Sequence, residues 1–122
     1  MVRMVSTRPK RVGDRIREEI SDLLLKKVKD PRIGFVTITG VEVSKDLRAA
    51  KVFYSILGEL EDRQRAADGL ASAMGFIKRE LGARLQLKFM PEIVFAYDSS
   101  MEDADRIERL LMEIRRDDDE SN

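Results

Sequence analysis

The side chains of this 122-residue sequence that are best suited to chemistry are its clustered cations. Lysine and arginine bind phosphate through charge and hydrogen bonds, and a helix N-terminus beside such a cluster favours anions further. We therefore expect contact with the phosphate backbone of a nucleic acid, to which plain solubilising charge is the alternative. The candidate contact residues lie at both ends of the first predicted helix and late in the middle of the chain: Arg8, Lys10, Arg11, Lys29, Arg32, Lys78, Arg79, Arg84 and Lys88.

The charges balance in total but are separated along the chain. The sequence has 23 Lys and Arg against 23 Asp and Glu, which gives no net charge at pH 7. Residues 1–91 nevertheless carry a net charge of +7, and residues 92–122 carry −7. This separation favours an oriented electrostatic field, whose basic part suits nucleic acid or an acidic partner.

Most of the groups used in catalysis are missing from the sequence. It has no cysteine and no histidine, which excludes disulfides, thiolate zinc sites, cysteine nucleophiles and proton transfer by imidazole. The glycines do not fall at the spacing of a P-loop or a dinucleotide fingerprint. Neighbouring carboxylates lie on predicted helix faces or in the acidic C-terminus, where solvated charge is the simpler interpretation. We expect no enzyme activity, no metal and no cofactor.

Aromatic residues are scarce, which argues against recognition of bases by stacking. We assign Phe53, Phe76 and Tyr97 to the core and expect shape and phosphate contacts instead. No uncharged run is longer than nine residues, whereas a membrane span needs about 20 apolar residues. The first 13 residues also lack the apolar stretch of a secretory signal, so we expect a cytoplasmic protein.

The first half of the chain predicts a helix followed by a β-hairpin. Apolar residues at spacings of three and four predict a helix over 9–28, and Pro31 marks its end. Two stretches rich in β-branched residues predict strands over 35–44 and 49–57, joined by a short turn. The alternation slips at Gly40, which predicts a β-bulge there.

The second half predicts two helices, a strand and a last helix. Helical patterns over 61–70 and 77–85 flank a kink at Ala73 to Gly75, where glycine and serine weaken the helix. A strand follows over 93–97, and Ser99 and Ser100 are N-cap candidates for a C-terminal helix. One three-stranded sheet covered by helices is an α+β fold. We expect a single domain over 1–116 and a short, acidic, disordered tail over 117–122.

Several segments resemble the bacterial ribosome-binding factor A family. They are RPKRV (8–12), KDPRIG (29–34), VTITGVEVS (36–44), DLRAAKVFYS (46–55) and AMGFI (73–77), and the resemblance spans residues 8–114. It implies a type II KH-like fold in the order helix, strand, strand, helix, kink, helix, strand, here with an additional C-terminal helix. Members carry Ala-x-Gly at the interhelical kink where other KH modules carry Gly-x-x-Gly, and Ala73 and Gly75 match this pattern. We therefore expect RNA contact through the helix after the kink and the basic N-terminal region.

The resemblance also implies a function. It implies a non-enzymatic assembly factor that binds the free 30S small ribosomal subunit and supports late maturation of 16S rRNA near its 5′ end. Such a factor matters most in the cold, leaves before the subunits join, and is linked to a GTPase that helps release it. We expect a monomer. Two other classes stay open: an RNA-binding or RNA-chaperone module without ribosome specificity, and an adaptor whose acidic C-terminal part docks a basic partner.

Overall fold

The computed structural model describes the backbone of residues 8–121 and the side chains of residues 8–117. Three α-helices and one three-stranded sheet make up these residues, which confirms the predicted α+β class. The elements in chain order are α1 (Arg8–Lys26), β1 (Val36–Val43), β2 (Ala49–Ile56), α2 (Leu60–Leu85), β3 (Glu92–Tyr97) and α3 (Ser100–Ser121). A short 3-10 helix, Pro31–Ile33, connects α1 to β1.

The sheet has the strand order β1-β2-β3. β1 and β2 form an antiparallel hairpin, and β3 lies parallel to β2 with Ala49 opposite Glu92. The pairing shifts between Ile38 and Gly40, so Thr39 is the extra residue of a β-bulge, and the predicted bulge is confirmed. Because β2 and β3 are parallel, they begin at the same end of the sheet, where β1 also ends. We call this the strand-start end.

The helices α1 and α2 form the core together with one face of the sheet. The largest side chains that are fully buried come from both helices and the central strand: Ile16, Ile20, Leu23, Leu70, Ile77, Leu81 and Val52. The start of α1 is held at the strand-start end, because an added Cβ on Gly13 would lie 3.2 Å from the carbonyl oxygen of Val41. The sheet and α1 therefore present the first residues of α1 beside the turn between β1 and β2.

The structure has one helix where the sequence predicted two. α2 continues without interruption through Ala73 and Gly75, the predicted interhelical kink. Leu70 and Ile77 lie on either side of this point and are almost completely buried, so tertiary packing holds the chain helical on both sides. A glycine within a helix costs only about 1 kcal/mol relative to alanine, which such packing easily exceeds.

The last helix, α3, also differs from the prediction. It runs to Ser121, so the backbone of the acidic segment 117–121 is helical, and Asn122 lies outside the described residues. No glycine or proline follows Arg116 that could end the helix earlier. The apolar side chains Ile107, Leu111 and Ile114 are each more than half exposed, so α3 extends away from the core. None of the helices within residues 8–121 combines the length and apolar character that a membrane span requires.

Candidate nucleic-acid interface

Three cations meet around one cavity at the strand-start end. The cavity has a volume of about 540 Å³ and lies between the start of α1, the turn 44–48 and the loop 86–91. We call it the basic cleft, and it is lined by Arg8, Asp46, Leu47, Arg48, Leu87, Lys88, Phe89 and Met90. Its lining thus combines three cations, one carboxylate, three aliphatic or thioether side chains and one aromatic ring.

Hydrogen bonds from one serine shape the turn 44–48. The Oγ of Ser44 accepts from the backbone N–H groups of Arg48 and Ala49 and donates to a carboxylate oxygen of Asp46 at 2.7 Å. Leu47 has a left-handed backbone with φ of 62°. The N–H of Glu92 donates to the carbonyl oxygen of Arg48 at 2.8 Å, which fastens this turn to the start of β3. The side chain of Arg48 is left exposed at the cleft.

The loop 86–91 forms the opposite wall. Gln86 ends α2 in a left-handed conformation with φ of 52°, and its N–H donates to the carbonyl oxygen of Gly82. Met90 packs close to Gly82, and Pro91 is buried. With the two ends of the loop held in this way, Lys88 and Phe89 face solvent.

The single carboxylate of the cleft is already engaged within its own turn. The pKa of Asp46 lies below its ordinary value, first because Ser44 donates to it and next because the N–H of Arg48 does. Asp46 therefore stays ionised near neutral pH, but its hydrogen-bonding capacity is partly used. The lining keeps a net charge of +2, which attracts anions.

A second, smaller cavity extends the cationic surface along α1. It has a volume of about 120 Å³ and shares Leu87 with the basic cleft. Arg11 and Arg15 line it, and the guanidinium of Arg15 donates to the carbonyl oxygen of Arg84 at 3.3 Å. The strand-start end therefore presents five cations: Arg8, Arg11, Arg15, Arg48 and Lys88.

The nine residues predicted from the sequence do not form one surface. Arg8, Arg11 and Lys88 come together at the strand-start end. Lys10 lies next to Arg11 in the first turn of α1, where its Nζ is 3.4 Å from a carboxylate oxygen of Asp14.

The remaining predicted cations lie elsewhere on the molecule. Lys29 and Arg32 follow the end of α1, away from the basic cleft, and the guanidinium of Arg32 is bound to Asp30 at 2.6 Å. Lys78 and Arg79 are exposed in the last third of α2, and no ion pair engages them within residues 8–117.

Arg84 is bound to acidic residues of α1. Its Nη1 lies 2.9 Å from a carboxylate oxygen of Glu19 and 2.8 Å from one of Asp22. These hydrogen bonds raise the pKa of Arg84 and lower that of Asp22. The guanidinium therefore links α2 to α1 and is not free to bind a ligand.

The sequence analysis overlooked three residues of this surface, namely Arg15, Arg48 and Phe89. Arg48 lies in the turn 44–48 with one other cation, Lys45, and one carboxylate, Asp46, whereas runs of cations along the chain were the signal used. Phe89 lies between Lys88 and Met90-Pro91, just outside the strand pattern that begins at residue 93. Phe89 could have been identified as an aromatic residue next to a cation, Lys88, in a predicted loop.

The described residues contain no group of three or more acidic side chains placed to hold a metal ion. At the strand-start end, backbone turns held by hydrogen bonds place exposed cations around one cavity. Such a surface can bind phosphates through charge and hydrogen bonds.

Comparison with known proteins gives a consistent result. The family model described as ribosome-binding factor A matches residues 8–111. The ribosome-binding factor A of Geobacter sulfurreducens is 51% identical over 107 residues, which cover 88% of this chain and 91% of that protein. The ribosome-binding factor A of Halothermothrix orenii is 44% identical over 116 residues, which cover 95% of each chain.

Solved structures of the same family share the fold. The ribosome-binding factor A of Thermus thermophilus has a TM-score of 0.54 and 25% identity, covering 73% of this chain and 90% of its own. A Thermotoga maritima protein described as a putative ribosome binding factor A has a TM-score of 0.56 and 29% identity, covering 77% and 91%. A homology model of the Thermus thermophilus protein, fitted into the cryo-EM map of a complex with the 30S subunit, has a TM-score of 0.53 and 25% identity. The match covers 75% of this chain and 92% of that one. The chain described here belongs to the ribosome-binding factor A family.

Proposed function

We propose that this protein is a non-enzymatic ribosome assembly factor that binds the free 30S small subunit. The observation that carries the proposal is membership of a family with a member fitted into a map of a 30S complex. The cationic strand-start end supplies a surface suited to the phosphates of ribosomal RNA. The proposed task is support of late 16S rRNA maturation, including its 5′ region, with the greatest demand in the cold.

The proposed mechanism is recognition of RNA shape by a rigid body. The core fixes α1, the turn 44–48 and the loop 86–91 relative to one another, so their cations present a fixed pattern to the RNA backbone. Phosphate contacts position a protein on RNA without reading its sequence. The uninterrupted helix α2 supports this mode, because a KH module grips single strands with a Gly-x-x-Gly loop between two helices.

Further parts of the proposal concern partners and organisation. Residues 1–116 act as one RNA-binding domain, and α3 is its last element. The protein works in the cytoplasm as a monomer, needs no cofactor or metal, and leaves the subunit with the help of a ribosome-assembly GTPase. An RNA-binding module without ribosome specificity is the second candidate, because phosphate contacts at the strand-start end serve any RNA equally well.

Co-sedimentation tests the proposal and separates the two candidates. The purified protein is centrifuged with small subunits, large subunits and joined ribosomes at low and moderate salt. We expect pelleting with free small subunits that persists at moderate salt. Equal pelleting with all three particles, lost together as salt rises, would instead establish a module without ribosome specificity.

A matched pair of variants locates the contact. Arg8→Gln, Arg48→Gln and Lys88→Gln together remove three cations from the basic cleft. Arg17→Gln, Lys27→Gln and Arg65→Gln remove the same charge from exposed positions outside it. We expect the first triple variant to lose small-subunit binding and the second to keep most of it. Equal losses would mean that net charge alone drives association.

A further inference from the structure

The basic cleft holds an aromatic ring that the fold does not use. The side chain of Phe89 is 77% exposed, although burying it would stabilise the core. One exposed apolar residue is ordinary on a protein surface. Phe89, however, lines a cavity together with three cations and with the apolar side chains of Leu47, Leu87 and Met90. That combination calls for a ligand with a flat apolar part and negative charge.

We propose that the basic cleft binds an unpaired nucleotide of RNA, with its base stacked on Phe89 and its phosphates held by Arg8, Arg48 and Lys88. The inference rests on the proposed function, since it names the part of the RNA that this surface takes. The cations alone would bind only phosphate, and Phe89 adds a contact to the base.

The size and composition of the cleft fit this ligand. Its volume of about 540 Å³ lies within the range of small-molecule sites, roughly 300–1,000 Å³. The ammonium of Lys88 lies 5.6 Å from the centre of the Phe89 ring, so a cation accompanies the stacking surface. A base on this ring carries its phosphates at its edge, where the other cleft cations can reach them. The aromatic face accepts any base, so the site discriminates little between sequences.

Backbone conformation provides a second, independent observation. Leu47 and Gln86 are the non-glycine residues within the described chain that have positive φ, at 62° and 52°. Leu47 lines the cleft, and Gln86 begins the loop that carries Lys88 and Phe89. Left-handed backbone is unfavourable for a leucine, and such conformations concentrate at binding sites. For Gln86 the left-handed conformation is that of an ordinary helix C-cap, so the unfavourable backbone at the cleft is that of Leu47.

The same observations favour RNA over an acidic peptide. A purely acidic peptide could pair with the cations, but it has no flat apolar group to cover the ring of Phe89. Duplex RNA offers phosphates, but its bases are stacked within the helix and cannot reach the ring. An unpaired nucleotide satisfies both parts of the lining at once.

The test compares two exposed phenylalanines in the full chain. Phe89→Leu removes the ring at the cleft, and Phe35→Leu removes a ring of similar exposure, 72%, that precedes β1 and lies at the other end of the sheet. A fluorescein-labelled oligouridine of about eight nucleotides is titrated with each protein at low salt and followed by anisotropy. We expect Phe89→Leu to weaken binding about 5-fold or more and Phe35→Leu to leave it unchanged. Melting curves of both variants should match the unmodified protein, because both rings are exposed.

An abasic oligonucleotide of the same length separates stacking from charge. We expect it to bind the unmodified protein about as weakly as oligouridine binds Phe89→Leu, with no further loss when the two changes are combined. Independent losses, or equal binding of oligouridine by all three proteins, would overturn the nucleotide site. Poly-glutamate that binds the unmodified protein more tightly than oligouridine of equal charge would overturn it in favour of an acidic peptide.

Failure of the nucleotide site can be distinguished from failure of the proposed function, because different experiments test them. The oligonucleotide titration contains no ribosome, so it can succeed even if small subunits are not selected in co-sedimentation. Conversely, a protein that selects small subunits but binds oligouridine independently of Phe89 keeps its proposed function and loses only this site.

Discussion

Arg84 near the end of α2 lies 2.8 Å from a carboxylate oxygen of Asp22 on α1, across 62 residues of sequence. The same nitrogen lies 2.9 Å from Glu19, and only about a quarter of the Arg84 side chain is exposed. One guanidinium thus joins two helices that bury most of the core. The relationship makes Arg84 a structural residue, although its position in a run of cations suggests a ligand contact.

Replacing Arg84 by Gln should lower the melting temperature by a few degrees. The change leaves Glu19 and Asp22 close together without their shared cation, so repulsion is added to the lost hydrogen bonds. Thermal unfolding followed by circular dichroism measures this effect. Arg17→Gln on the outer face of α1 is the control and should melt like the unmodified protein, whereas an Arg84→Gln protein that also does so would refute the structural role.

The acid stability of the protein should depend on the same pair. The pKa of Asp22 is held below its ordinary value of 3.8, mainly by the hydrogen bond from Arg84 and next by that from Lys26. A carboxyl whose pKa is depressed by folding stabilises the protein above its unfolded pKa and loses that contribution as the pH falls through the folded one. Stability should therefore fall from about pH 5 to about pH 2, and less steeply in Arg84→Gln. Parallel curves for the two proteins would show that Arg84 does not set this pKa.

Salt should reveal how many phosphates the basic cleft binds. A plot of the logarithm of the RNA binding constant against that of salt concentration loses about one unit of slope per cation removed. The triple variant at Arg8, Arg48 and Lys88 should therefore flatten the slope by about two to three units. The triple variant at Arg17, Lys27 and Arg65 should keep the original slope. If the slope changes only in the double variant Lys78→Gln with Arg79→Gln, the RNA interface lies in the last third of α2 and not at the basic cleft.

Two glycines of α2 should respond oppositely to alanine. An added Cβ at Gly69 would lie 2.7 Å from Cγ2 of the buried Ile33, so Gly69→Ala should destabilise the fold by about 1–3 kcal/mol. At Gly75 the nearest atom is a terminal nitrogen of Arg79 at 3.7 Å, so Gly75→Ala should stabilise it by about 0.5–1 kcal/mol. Gly75→Pro should cost about 3 kcal/mol or more. Urea denaturation measures all three, and a destabilised Gly75→Ala protein would mean that α2 needs flexibility at this point.

Removal of residues 107–122 should change the melting temperature little. The apolar side chains of this segment are more than half exposed, so they contribute little burial, whereas Glu102 in the first turn of α3 stays bound to Arg63 and Tyr97. Calorimetry of the shortened chain measures the effect, with a cut before Glu102 as the contrasting variant. A large fall in melting temperature when only residues 107–122 are removed would mean that this part of α3 packs on the domain in solution.

Local patterns predicted those parts of the fold that local forces determine. The apolar spacing of α1 predicted its bounds to within two residues, and the slip at Gly40 predicted the bulge. The sequence predicted two helices joined by a kink at Ala73 to Gly75, whereas the structure has one continuous helix, because the burial of Leu70 and Ile77 outweighs the weak helix propensity between them. The sequence analysis expected a disordered acidic tail, whereas the backbone of α3 is helical to Ser121 although aspartate and serine are weak helix formers.

The binding surface was less accessible to sequence reasoning, because it is assembled from distant segments. Grouping along the chain identified Arg8, Arg11 and Lys88 but could not show that Arg48 would join them. It also included Arg84, whose carboxylate partners lie more than 60 residues away. Only the pairing of Ala49 with Glu92 brings the turn 44–48 next to the loop 86–91.

That parallel pairing has a consequence for the time at which the protein becomes active. β3 can join β2 only after the whole of α2 has been synthesised, and contacts between such distant segments form late because loop closure opposes them. While β3 is still inside the ribosome, it cannot pair with β2, and the nascent chain has no basic cleft. Synthesis therefore delivers the cations one group at a time and the complete basic cleft, the proposed RNA-binding surface, last.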